Sequence, residues 1–176
     1  MFYLFLADGF EEIEALATVD VLRRADVPVL TVGTSGKYIV GAHGVTVEAD
    51  IDLNAVEPHK MEGIILPGGM PGTTNLDENK KVSDLIDFAA ENDLWLCAIC
   101  AAPLILGKKG ILAGKKATCY PGFESYLKGA ILRNGVCRDG KIITANGPGA
   151  ALPFSFEILN ALGKDSEKLK KDMQYV

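Results

Sequence analysis

The sequence has little histidine and no excess of basic charge. Only His43 and His59 occur in 176 residues, and neither stands at ligand spacing with a cysteine pair. That argues against a zinc site. Lysine and arginine number 18 against 23 acids, a net charge of −5. Phosphate backbones are bound by basic surfaces, so nucleic acid is not an expected partner. No stretch approaches the roughly 20 apolar residues needed to span a bilayer, so no membrane partner is expected either. The apolar start, Met1 to Ala7, has no basic lead and runs straight into Asp8, Glu11 and Glu12. It reads as a buried first strand rather than a secretion signal, and the expected compartment is the cytoplasm. Repeats, low-complexity tracts and linkers are also missing.

What remains is an ordinary globular composition, 48% apolar and 23% charged. It suits one domain over residues 1–176, with a core to residue 163 and a short polar helix or tail over 164–176. Continuous apolar runs alternate with helical periodicity. Tyr3 to Ala7, Pro28 to Val32, Gly63 to Leu66, Leu94 to Ile99 and Lys141 to Ala145 read as strands, and Ala117 to Cys119 as a short one. Tyr38 to Val40 and Val45 to Val47 read as a hairpin. Phe10, Ile13, Leu16, Ala17 and Val21 mark one helix, with Phe10 and Ile13 facing the core. Val82 to Ala89 and Leu152 to Leu162 mark two more, the last capped by Gly163. This alternation predicts an α/β fold with a mainly parallel sheet covered on both faces. Ligands in such folds bind outside the carboxyl ends of the strands. Four segments leave those ends: Ala7-Asp8-Gly9, Pro67-Gly68-Gly69, Cys100-Ala101-Ala102 and Asn146-Gly147-Pro148-Gly149.

Cys100 ends the most apolar strand, and a helix follows from about Ala101. So sharp a turn crowds the residues two places away, and here those are the small Ala98 and Ala102. Pro103 suits a first helical turn. A helix N-terminus lowers a thiol pKa, and the Ala101 N–H would face the same space as an oxyanion donor. The competing readings are a buried structural cysteine and a redox pair with Cys97. Cys97 lies inside the strand, so its sulfur would have to leave the core to reach Cys100. Glu11, Glu12 and Glu14 open the first helix, where acids suit the helix dipole. One of them, pushed over the sheet edge, would stay protonated and hydrogen-bond the sulfur. Gly68 and Gly69 permit close backbone approach, and their N–H groups can hold an anion.

Together these stretches resemble the ThiJ/PfpI family, in particular its subgroup around the Parkinson-disease deglycase. The resemblance rests on Leu6 to Glu14, Val19 to Ala25, Leu66-Pro67-Gly68-Gly69, Ala98 to Pro103 and Gly147-Pro148-Gly149, in order and across most of the chain. It implies a flavodoxin-like sandwich and a homodimer. It implies Cys100 as an easily oxidised nucleophile and Glu14 as the glutamate that hydrogen-bonds it. Gly69 and Ala101 become the oxyanion donors, and Arg24 lies on the interface helix. Where many members have a histidine, this chain has Tyr120, a poor base at neutral pH. His43 matches a position where members carry a basic residue and is a possible substitute; an exposed hairpin histidine is the other reading. The implied activity is a glutathione-independent glyoxalase or deglycase acting on small aldehydes, with no metal or organic cofactor. The alternative is a redox-sensing or chaperone protein whose cysteine oxidises to sulfinate. An amidase or peptidase would need a histidine beside Cys100.

Overall fold

The computed structural model of the protein describes residues 1–175. In chain order its strands and helices are β1 (Phe2–Leu6), α1 (Glu12–Arg24), β2 (Val29–Gly33), β3 (Tyr38–Val40), β4 (Thr46–Glu48), β5 (Ile51–Asp52), β6 (Gly63–Leu66), α2 (Gly72–Glu78), α3 (Lys80–Glu91), β7 (Trp95–Ile99), α4 (Pro103–Lys108), β8 (Lys116–Ala117), β9 (Ile131–Leu132), β10 (Val136–Asp139), β11 (Ile142–Ala145), α5 (Ala151–Ala161) and α6 (Ser166–Asp172). Seven strands form the central sheet in the order β10-β11-β7-β6-β1-β2-β5. All neighbours are parallel except β10, which turns back antiparallel along β11 at one edge.

Helices cover both faces because the central strands are apolar on both. In β1 the side chains alternate. Phe2, Leu4 and Leu6 pack with Ala15, Leu22, Phe154 and Ile158 of α1 and α5. Tyr3 and Phe5 pack with Leu76, Ile86 and Leu106 of α2, α3 and α4. The result is a three-layer, flavodoxin-like α/β sandwich. Among the described residues no helix is long and apolar enough to cross a membrane.

α1 is rotated from the phase its apolar spacing suggests. Ile13 is 59% exposed and Leu16 37%, whereas Glu12 and Glu14 are buried. The expectation that Ile13 faces the core is therefore corrected. Glu12 accepts from His43 and Val45, and Glu14 accepts from the Gly68 N–H on one oxygen while the other has no partner. Phe10 is fully buried as expected. α4 begins at Pro103 rather than Ala101 and has six residues. The segment after Gly69 turns through Met70 and Pro71 into α2. The hairpin β3–β4 forms, and β8 pairs with β9 in a separate small sheet. α5 ends with Gly163 at φ +71 and the Lys164 N–H bonded to the Leu159 carbonyl, the left-handed glycine termination its sequence predicts.

Candidate active site

Four adjacent strands, β11, β7, β6 and β1, all point the same way. Their carboxyl ends bring Asn146, Cys100, Gly68 and Asp8 to one rim of the sheet. Cys100 is the residue at which β7 turns. It holds φ at +61, in the left-handed region a non-glycine residue rarely enters. Backbone bonds enforce that conformation. The Cys100 N–H donates to the Ala145 carbonyl at 2.9 Å, and the Cys100 carbonyl accepts from the Tyr120 N–H at 2.7 Å.

The sulfur sits against Glu14. That side chain is fully buried, and one of its oxygens accepts the Gly68 N–H at 2.7 Å. The other oxygen, Oε1, is buried without a hydrogen-bond partner, and Glu14, Gly69 and Ala101 are the neighbours that act electrostatically on the Cys100 thiol. Two glycines make room for this. A Cβ on Gly68 would lie 2.6 Å from the Cys100 Cβ and 2.8 Å from Glu14 Oε2. Gly69 has φ +88, and a Cβ there would strike the Glu11 backbone.

Burial pushes the Glu14 carboxyl up from 4.5 to about 7, against the pull of the Gly68 N–H and the thiol. Cys100 is not the low-pKa thiol expected from its place before a helix. Burial, then the neighbouring Glu14 charge, push it up to about 12, and the Gly69 and Ala101 N–H groups pull the other way. A six-residue helix starting three residues later has little dipole to offset them. Above about pH 7 the pair thus holds one proton between sulfur and carboxyl. While Glu14 is ionised the thiolate is disfavoured by like charge. Once the proton passes to Glu14, the repulsion is gone and the carboxyl can donate to sulfur.

The other predicted residues lie around this pair. Tyr120 is 45% exposed and touches Cys100 through its backbone. His43 is engaged by Glu12. Its ring Nδ1 lies 2.8 Å from Glu12 Oε2, and its N–H donates to Glu12 Oε1 at 2.7 Å. His59 is exposed beside Glu57. Arg24 ends α1, about 15 Å along the axis from Glu14, and pairs with Asp20. All four cysteines are free, and Cys97 is wholly buried in β7.

Sequence reasoning missed the tie between α1 and the hairpin. Glu12 anchors the turn after β3 by accepting from His43 and Val45. Glu11, Glu12 and His43 place three possible ligand atoms within 4.8 Å of one another. Their oxygens are already engaged, however, because Glu11 Oε2 caps the Glu14 N–H at 2.7 Å. The signal for this tie was the run of three acids itself, but nothing local says which acid turns which way.

Known proteins arrange their chains alike. Toxoplasma gondii DJ-1 in its oxidized form superposes with a TM-score of 0.94 at 30% identity, over 99% of this chain and 98% of that one. Protein dj-1beta of Drosophila melanogaster is 36% identical over 165 residues, 91% of this chain and 88% of that protein. The glutathione-independent glyoxalase DJR-1.2 of Caenorhabditis elegans is 32% identical over 154 residues, 86% and 82% of the two chains. The model of the DJ-1/PfpI family matches residues 2–161. With that match and relatives this similar along nearly their whole lengths, the chain belongs to the DJ-1/PfpI family.

Proposed function

We propose that the protein is a glutathione-independent glyoxalase, with deglycase activity on the same grounds, acting on methylglyoxal-type aldehydes through Cys100. The observation that carries this reading is the buried Glu14 carboxyl, one oxygen of it unpartnered, set with Cys100 around Gly68 at the strained strand-to-helix elbow. The likeness to a glutathione-independent glyoxalase of Caenorhabditis elegans supports it.

A buried thiol pushed up to about 12 attacks only if a base takes its proton. Ionised Glu14 is that base. Sulfur bonds to the aldehyde carbon of methylglyoxal, Glu14 receives the thiol proton, and the carbonyl oxygen becomes an oxyanion held by Gly69 and Ala101 N–H. Glu14 passes that proton to the oxygen, which gives a hemithioacetal and leaves the carboxylate ionised again. Glu14 then removes the proton on the former aldehyde carbon and returns it to the neighbouring carbon, while the hydroxyl proton moves across to the ketone oxygen. The adduct is now a lactoyl thioester. Water cleaves it to lactate and restores the thiol. One water is consumed, and no oxidant or reductant is needed.

The test is lactate formation from methylglyoxal without glutathione. Wild type turns over, while Cys100→Ser and Glu14→Gln lose at least about a hundredfold, the scale of general acid–base catalysis. An inactive wild type sinks the reading. The redox-sensor reading has one observation in its favour. The donors around Cys100 would serve sulfinate oxygens equally well, and mass spectrometry after mild peroxide would then find oxidation concentrated at Cys100.

A further inference from the structure

If the aldehyde carbon meets Cys100, as the glyoxalase reading requires, the rest of the substrate lies beside the elbow. A groove of 550 Å³ adjoins the elbow backbone, walled by Tyr120, Pro121, Val136, Asn146, Pro148 and Pro153, with Cys100 itself outside its lining. Two of its walls hang from the Cys100 backbone. Tyr120 donates its N–H to the Cys100 carbonyl, and Asn146 follows the Ala145 carbonyl that receives the Cys100 N–H. The groove and the nucleophile are therefore held in fixed relation.

Its chemistry is one-sided. None of the described residues lining it carries a charge, and its walls include three prolines, a valine and Tyr120. The ring lies close against bare backbone at Gly147, where a Cβ would come within 3.2 Å of Tyr120 Cδ2. Pockets of roughly 300–1000 Å³ take ring-bearing small molecules, and the three-carbon methylglyoxal leaves most of this one empty. An ammonium, guanidinium or carboxylate placed here finds no opposite charge to pair with. A planar apolar group gains contact with proline and tyrosine faces.

We propose that this groove receives the substituent of the carbonyl substrate, and that the protein therefore favours 2-oxoaldehydes bearing a planar apolar group over methylglyoxal. The inference rests on the glyoxalase reading and narrows its substrate class. The same proton shift and hydrolysis convert phenylglyoxal and one water to mandelate.

The experiment compares kcat/KM for phenylglyoxal and methylglyoxal in wild type, Tyr120→Ala and Tyr120→Phe. Wild type should prefer phenylglyoxal. The preference ratio should fall about tenfold in Tyr120→Ala, the scale of one lost aromatic contact, and stay within about twofold of wild type in Tyr120→Phe. Methylglyoxal turnover without a phenylglyoxal preference overturns the inference and leaves the glyoxalase reading standing. So does a preference that Tyr120→Ala does not reduce. Turnover of neither aldehyde overturns both.

Discussion

Glu14 carries opposite demands in stability and catalysis. Its carboxyl is raised from 4.5 to about 7 by burial, so the folded protein binds that proton more tightly than the unfolded chain. The stability this contributes is complete below pH 4.5 and is lost as pH rises through about 7, roughly 3 kcal/mol across the window. Glu14→Gln has no such titration. Urea unfolding at pH 4 and pH 9 should show the variant gaining about 3 kcal/mol on wild type at the higher pH; an unchanged difference would mean Glu14 is not the raised group. Catalysis needs the ionised carboxylate, so kcat/KM for methylglyoxal should rise with pH through about 7. A rate that falls through that region would remove Glu14 as the base. Gly68 offers a purely steric test. Gly68→Ala drives a methyl group into both the Cys100 Cβ and Glu14 Oε2. It should cost about 1–3 kcal/mol in thermal unfolding and most of the turnover. Of this site, Cys100 was legible in sequence because a tight turn demands small residues at 98 and 102. Its raised pKa was not, because burial comes from residues far along the chain.

α1 and the β3–β4 hairpin are joined by one buried carboxylate. Burial pushes Glu12 up, but the bonds from the His43 ring and from backbone N–H groups outweigh it, and its pKa is held below the ordinary value. The tie is therefore present above the ordinary carboxylate range and lost as pH falls through the lowered value. Gly41 is required beneath it, since a Cβ there would overlap the Glu12 carboxylate. Glu12→Gln should speed amide exchange at His43 and Val45 and lower stability by about 1 kcal/mol at neutral pH. Unchanged exchange at those two amides would show that the tie does not hold the hairpin. The same contacts explain why the helix was legible and its rotation was not. Spacing of Phe10, Ile13, Leu16 and Val21 marks a helix, but three acids with partners inside outweigh two aliphatic side chains in choosing its buried face. The short strands β5 and β9 and the edge strand β10 escaped for another reason. Their pairing depends on neighbours distant in sequence rather than on their own pattern.

At the scale of the whole molecule the parallel sheet was legible, because apolar runs long enough to be buried on both faces alternate with helices. The rim chemistry followed from it, since β11, β7, β6 and β1 lie side by side and end together. What the sequence pattern could not show is the apolar surface created when α1 turned its acids inward. Ile13 and Leu16 stand out on one helix face, and Val45, 49% exposed, belongs to the turn that Glu12 anchors beside them. We propose that a second copy of the chain covers this surface, the homodimer implied by the family resemblance. A helix face that exposes two large aliphatic side chains three residues apart gains by pairing with its own symmetry mate. Sedimentation equilibrium should find a dimer for wild type. Ile13→Asp should shift it toward monomer while leaving the fold intact, because a residue 59% exposed contributes little to the monomer core. A monomeric wild type at micromolar concentration, or a dimer indifferent to Ile13→Asp, would place the interface elsewhere or remove it. In that case the inward turn of α1 would be explained by the site alone.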